Sequence, residues 1–410
     1  MTTQPTQSDA TPTPANEPAK PGVLEVLLIF FGLGLTSFGG PVAHIGYFRE
    51  AFVARRKWLS ESAYADLVAM CQFLPGPASS QVGMGLGMMR AGLPGALAAW
   101  VGFTLPSALV MILFAYGVTS LDLSAQSGWI HGLKVVAVAV VAQAVWGMAT
   151  TLCPDRNRAT LAIVAALLVT LWPTALGQVS AILIGALFGW RFLSLAPAPA
   201  DGSITVSLSR RWGVIFLILF ALLLLALPLL AEYGDTPILA ITDSFYRSGS
   251  LVFGGGHVVL PLLQAEVVPS GWLDNELFLA GYGAAQAVPG PLFTFAAYLG
   301  SAMSFGPSGW LGGLLATVAV FLPSFLLVAG MLPFWQAFRT RPGAQSILAG
   351  VNAAVVGLLV AALYHPVWTS GILSASDFML ALAAFGLLQF WKTAPWLVVV
   401  AASVVSGILA

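Results

Sequence analysis

Two Pro-Gly-Pro triplets, Pro75-Gly76-Pro77 and Pro289-Gly290-Pro291, interrupt apolar stretches, each three residues after a glutamine, Gln72 and Gln286. Two glycine clusters do the same, Phe38-Gly39-Gly40-Pro41 and Phe253-Gly254-Gly255-Gly256. Proline removes a backbone donor and glycine loosens a helix, so four helix breaks are expected at these points. A half-helix that begins at such a break presents unpaired N–H groups and the positive end of its dipole, and both attract an anion. Pro77 and Pro291 suit the opening turns of half-helices, and Ser79, Ser80 and Thr294 bring hydroxyl donors beside them. Gln72 and Gln286 stand where a carboxamide bonds a ligand or caps loose backbone. The chemistry on offer is non-covalent capture of a small anion.

Few ionisable residues accompany these breaks. Arg247 lies some nine residues into its apolar segment, where a central arginine costs about 2.5–3.5 kcal/mol or more. Two readings are open: an ion pair with Asp243 at i−4, or a planar fork that binds an oxyanion. Lys134 and its counterpart Asn352 form a second candidate pair, although Lys134 is close enough to Trp129 to snorkel to the outer interface. Asp66, His44 and His257 are the proton-coupling candidates, each with a structural alternative at the membrane interface. Gly306-Pro307-Ser308-Gly309 resembles the GxSG of membrane serine proteases, but no histidine is placed to activate Ser308, so an intramembrane hydrolase is disfavoured and no catalytic residue is assigned.

The elements around these residues follow from composition. Of 410 residues, 58% are apolar and only 8% charged, too little charge to cover a soluble domain. The chain reads as a lipid-embedded protein. Its 16 basic and 16 acidic residues balance, which removes nucleic acid as a partner. Cys71 and Cys153 lack metal-ligand or CxxC spacing, so neither metal nor other cofactor is expected. Residues 1–22 are Pro-, Thr- and Gln-rich, a disordered tail rather than a signal peptide. Long apolar spans are expected at about 94–118, 129–150, 213–232, 309–334, 346–364, 372–391 and 395–409, with shorter ones at 159–173 and 175–194. The segments 23–47, 62–91, 238–261 and 276–305 carry the breaks.

The breaks are two matched sets. Phe38-Gly39-Gly40 recurs as Phe253-Gly254-Gly255, Gln72-x-x-Pro75-Gly76-Pro77 as Gln286-x-x-Pro289-Gly290-Pro291, and Leu105-Pro106-Ser107 as Leu322-Pro323-Ser324, at offsets of 215, 214 and 217. The halves are duplicates. Charge then swaps sides: Arg49, Arg55, Arg56 and Lys57 crowd one first-half loop, whose counterpart from Leu262 to Asn275 has no basic residue, whereas Arg339 and Arg341 answer a loop at about 119–128 that has none. Under the positive-inside rule equivalent loops lie on opposite sides. Threaded with the amino terminus inside and each broken segment as a hairpin, the chain puts 14 of its 16 basic residues on the cytoplasmic side and its carboxyl terminus outside. The expected fold is an all-α polytopic membrane protein. Two inverted-topology repeats, 23–195 and 212–410, carry broken helices or re-entrant hairpins at the bilayer midplane and are joined by a polar linker, 196–211. Such an architecture describes a secondary transporter. No P-loop is present for ATP-driven pumping, and oligomeric state is not encoded legibly.

At Gly34-Leu-Thr-Ser-Phe-Gly-Gly-Pro41 with Leu74-Pro-Gly-Pro77, and at Phe253-Gly-Gly-Gly-His-Val-Val-Leu-Pro261 with Gln286-Ala-Val-Pro-Gly-Pro-Leu-Phe-Thr294, the chain resembles the chromate ion transporter family in its long, two-domain form. The resemblance covers about residues 25–365. It implies export of chromate from the bacterial cytoplasm across the inner membrane, driven by the proton motive force, and hence chromate resistance, with sulfate as a competing oxyanion. The half-helix residues Gly39, Gly40, Pro41, Pro75, Gly76, Pro77, Gly254, Gly255, Gly256, Pro289, Gly290 and Pro291 are then the expected anion site, with protons as the coupling ion. One departure within the repeat is that Pro41 stands where the second half has Gly256.

Overall fold

A computed structural model describes residues 22–120, 128–194, 208–338, 341 and 343–409. All but one residue of the expected tail, linker residues 196–207 and Arg339 lie outside them. The first half comprises α1 (Val23–Thr36), α2 (Gly40–Arg49), α3 (Glu61–Phe73), α4 (Ala78–Ser120), α5 (Gly128–Leu152), α6 (Arg156–Leu171) and α7 (Ala175–Phe192). After α8 (Arg210–Gly234) come α9 (Pro237–Ser250), α10 (Val259–Val267), α11 (Asn275–Ala285), α12 (Phe295–Ala302) and α13 (Gly309–Met331). The short α14 (Trp335–Phe338), then α15 (Ala344–Ala362), α16 (Thr369–Gly371), α17 (Ala375–Gln389) and α18 (Pro395–Leu409) close the chain. No strand occurs among the described residues. Six helical segments are long and apolar enough to cross a membrane, and the chain is a multi-pass membrane protein.

All four expected breaks are present. Gly39 is left-handed at φ 98 ahead of α2, with Pro41 in its first turn. Pro77 immediately precedes α4, and Pro291 precedes a 3-10 turn that leads into α12. Gly254 and Gly255, at φ 74 and 153, separate α9 from α10.

Boundaries differ from expectation in two places. The expected span at 94–118 is continuous with the preceding half-helix, and only a kink at Ala91-Gly92, with Gly92 at φ 63, marks the junction. The expected span at 372–391 contracts to the 15 residues of α17. Ser374 caps its start by accepting from Asp377 N, and the chain turns at Lys392, whose φ is 54.

Small residues let the helices approach closely, the main device where lipid supplies no hydrophobic drive between helices. Within the first half α1 lies on α4, where a Cβ on Gly34 would sit 2.8 Å from the Phe103 carbonyl oxygen. The second half repeats this contact: α9 lies on α13 with Gly249 pressed on the Val320 carbonyl. The outer hairpins, however, are exchanged. Helices α6 and α7 of the first half pack on α15 of the second, and α17 and α18 of the second pack on α5 of the first. Gly185 meets Gly350 in one exchange, and Gly132 meets Ala402 and Ser403 in the other. Among the described helices long enough to cross a membrane, α8 has no counterpart; only 6% of its apolar window is buried, against 72% for that of α13, so it lies at the lipid-facing edge.

Gly76 carries the steric load at the centre. Its φ is 124, and a Cβ there would collide with the Ser324 hydroxyl. Gly256 differs: its φ is ordinary for any residue, and an added Cβ would lie 3.4 Å from Pro41 Cγ, a normal contact. Gly76→Ala is expected to destabilise the protein by about 2 kcal/mol or more, while Gly256→Ala stays within about 0.5 kcal/mol. Thermal melts of the detergent-solubilised variants check this, and equal melting temperatures would refute it.

Candidate functional site

The two Pro-Gly-Pro breaks do not solvate their own backbone; each is tied to the other half. Gly76 N–H donates to the Val252 carbonyl at 2.7 Å, and Gly290 N–H donates to the Ser37 carbonyl at 2.9 Å. Ser37 and Val252 both sit just before a glycine cluster, so equivalent positions exchange equivalent bonds. Side chains follow the same rule. Gly76 faces Ser324, and Gly290 faces Ser107, whose Oγ would be 2.8 Å from a Cβ on that glycine. Pro41 and its repeat equivalent Gly256 lie close, so that a Cβ on Gly256 would be 3.4 Å from Pro41 Cγ. Contacts of this reciprocal kind are isologous, as in a two-fold dimer.

Around this crossing the sequence candidates separate. His44 is buried and bonds the Ser37 carbonyl through Nε2 at 3.2 Å and Ser79 Oγ through Nδ1 at 3.3 Å, which links α2 to the first turn of α4. His257 bonds the Tyr282 hydroxyl at 2.8 Å instead. Thr294 donates to the Pro291 carbonyl at 2.8 Å, within its own turn. Gln286 Nε2 is buried without a partner among the described residues. Its counterpart Gln72 is exposed, so the two glutamines, expected to do one job, do not share an environment. The reason is local: Gln72 falls on the outer side of the last turn of α3.

Three charged candidates find partners the sequence did not name. Arg247 donates to Asp243 at 2.7 Å, the i−4 pair, and also to both carboxylate oxygens of Glu266, at 2.7 and 3.0 Å. The ion-pair reading of Arg247 is therefore what the structure contains, and the fork expected to bind an oxyanion is already occupied by carboxylates. A void of about 10 Å³, the scale of a single water, adjoins Arg247, Glu266 and Gln178. Lys134 is buried and lies 3.4 Å from Glu276, while its counterpart Asn352 sits beside Gly254. Asp66 accepts from Trp335 Nε1 at 2.8 Å and from Gln336 Nε2 at 3.3 Å, a latch from the first half onto the second. Ser308, set aside as a nucleophile, precedes α13 at its N-cap.

The sequence reading passed over Ser37, Gln81 and Ser324. Gln81 Nε2 donates to the Pro75 carbonyl at 2.7 Å and so fastens the first break. The repeat register of Leu-Pro-Ser marked Ser107 and Ser324, but their contact with the opposite Pro-Gly-Pro glycine depends on tertiary structure. A separate cavity of about 480 Å³ lies between α1 and the end of α2, lined in part by Gly32, Tyr47, Arg55 and Arg56, and includes none of the candidates.

Replacing Arg247 with alanine leaves Asp243 and Glu266 facing each other largely out of water, with side-chain exposures of 9% and 12%. Arg247→Ala is expected to cost on the order of 3 kcal/mol. The triple variant with Asp243→Asn and Glu266→Gln should recover much of that loss in a thermal melt, and wild-type melting of the single variant would contradict the ion-pair assignment.

Comparison with known proteins places the chain. The chromate transporter family profile matches residues 24–190 and 239–408, one match per half and both outside α8. The chain is similar to the chromate transport protein of Pseudomonas aeruginosa, at 27% identity over 354 residues, covering 86% of this chain and 81% of that protein. It is also similar to the chromate transport protein of Cupriavidus metallidurans, at 25% identity over 410 residues, covering 94% and 92%. The probable chromate transport protein of Synechococcus elongatus is 28% identical over 393 residues, 93% of each chain. No solved structure matches. With a family match over most of its length, divided at the boundary between its two halves, the chain is a transport protein rather than an enzyme and belongs to the chromate transporter family.

Proposed function

We propose that the chain is a secondary active transporter that exports chromate across the bacterial inner membrane, driven by the proton motive force, and so confers chromate resistance. The observation that carries this reading is the reciprocal crossing at the centre. Each Pro-Gly-Pro break bonds the backbone just ahead of the other half's glycine cluster, and the first turn of α4 carries hydroxyls beside the first break. Preformed helix ends of this kind suit a small dianion. Inverted topology supports the same reading. If each half crosses the membrane an even number of times, the single unmatched crossing of α8 turns the second half over, in agreement with the charge swap between equivalent loops. The amino terminus is then cytoplasmic and the carboxyl terminus periplasmic.

Export direction and proton coupling rest on the family likeness. Asp66 is the coupling group in best position, since it joins the first half to the second, while His44 links α2 to α4 within the first half. Sulfate is the second substrate of this reading, because a helix end with hydroxyls reads charge and tetrahedral shape rather than the central atom.

Radiolabelled chromate and sulfate flux in proteoliposomes, with and without an imposed pH gradient, tests the proposal. Saturable chromate flux that responds to the gradient and is competed by sulfate is the expected result. Flux of neither anion under any gradient would remove oxyanion transport, and gradient-insensitive flux would remove proton coupling alone.

A further inference from the structure

The repeat invites the expectation of two equivalent anion sites, one at each Pro-Gly-Pro break, but the two helix ends differ in what they leave unused. Helix α4 opens with Ala78, Ser79, Ser80 and Gln81, whose equivalents are Leu292, Phe293 and Thr294 ahead of α12 and Phe295 at its start. Ser80 is 2% exposed and its Oγ has no partner among the described residues. The Gln81 carboxamide uses its nitrogen on Pro75, while its Oε1 is buried and unpartnered. Ser324, fully buried against Gly76, likewise has an unpartnered Oγ. At the second break the corresponding hydroxyls are spent. Thr294, the equivalent of Ser80, donates to Pro291, and Ser107, the equivalent of Ser324, donates to the Thr104 carbonyl at 3.0 Å. Unpartnered atoms do remain near the second break, at Ser37, Thr104 and Gln286. At the helix end itself, however, Leu292 and Phe293 are apolar and Thr294 is tied.

Buried hydroxyls are normally satisfied, and an unsatisfied one costs about 1–3 kcal/mol. One such hydroxyl in the first turn of a long helix and another beside the glycine that precedes it, with their repeat equivalents Thr294 and Ser107 both bonded, is the pattern of a site awaiting an acceptor. We infer that the transporter holds one tetrahedral oxyanion dianion at a time at the amino-terminal end of α4, where the hydroxyls of Ser80 from the first half and Ser324 from the second donate to it. The second break then serves as a structural counterpart that locks the crossing. Because one donor comes from each half, any motion of the halves relative to each other assembles or dismantles the site, which is what alternating access needs. This inference rests on the oxyanion-transport reading above and narrows it to one helix end.

The test compares two serines that sequence alone would treat alike. Full-length wild type, Ser80→Ala, Ser324→Ala and Ser107→Ala are assayed for sulfate flux in proteoliposomes and for sulfate-induced thermal stabilisation in detergent. Sulfate is the probe because it stays a dianion across neutral pH. Ser80→Ala and Ser324→Ala are expected to raise the sulfate KM about tenfold or more and to abolish most of the sulfate-induced stabilisation, with the ligand-free melting temperature unchanged. Ser107→Ala is expected to show the opposite order: a lowered melting temperature from the lost bond to Thr104, with KM within about twofold of wild type. Equal effects of Ser107→Ala and Ser324→Ala on KM, or no effect of Ser324→Ala, would overturn the single-site assignment while leaving oxyanion transport in place. A wild-type protein that neither binds nor moves sulfate or chromate would overturn both.

Discussion

The hydrocarbon interior offers no water to an interrupted helix, so every break must find its hydrogen-bond partners in protein. Here the partners come from the other half: Gly76 uses the carbonyl before one glycine cluster, and Gly290 uses the carbonyl before the other. This requirement dictates much of the remaining architecture. The glycines at Gly76 and Gly290 are needed because the opposing backbone and the serines of the Leu-Pro-Ser motifs stand where a side chain would be. The close approach of α1 to α4 and of α9 to α13 brings those carbonyls to the crossing. The exchanged outer hairpins then clasp the arrangement from outside, as α6 and α7 hold α15 while α17 and α18 hold α5.

Reciprocity at the backbone coexists with divergence in the side chains. Pro41 faces Gly256, His44 binds Ser79 while His257 binds Tyr282, and Gln81 fastens the first break where the second has Phe295. A duplicated scaffold can keep its interlocking bonds in both copies and concentrate recognition in one, since only the former are required for the fold to close. Arg247 belongs to the scaffold in this sense. Its two carboxylates neutralise a charge that membrane burial would otherwise make expensive.

Much of this was legible in the sequence because it is local or periodic. The four breaks follow from proline and glycine chemistry, the duplication from constant offsets, and the pairing of Arg247 with Asp243 from helical spacing. What escaped depends on distance along the chain. Glu266 lies 19 residues from Arg247 across a glycine cluster, so its approach depends on how α9 and α10 fold back on each other. Asp66 and Trp335 are 269 residues apart, and no spacing rule connects them. Gln72 and Gln286 look equivalent in register yet differ in exposure, because register along a helix does not fix which face a neighbouring element covers. The length of α17 was overestimated because apolar residues continue on both sides of it, Ile372 and Leu373 before the Ser374 cap and Phe390 and Trp391 after its last turn.

The exchange of outer hairpins has a consequence for how the protein is made. Helices α6 and α7 are complete by Phe192, yet the helix they clasp, α15, ends at Ala362. About 170 residues separate the two, and at roughly 5–20 residues per second the ribosome takes on the order of ten to thirty seconds to deliver them. Over that interval the first hairpin sits in lipid with the close-packing faces of Gly185 and Gly189 uncovered, and for roughly its first third the Gly76 amide has no Val252 to bind. The first half therefore cannot mature as an independent unit during synthesis. Assembly is deferred until the second half arrives, and the interval before it is when the nascent chain is most dependent on the insertion machinery and most open to degradation.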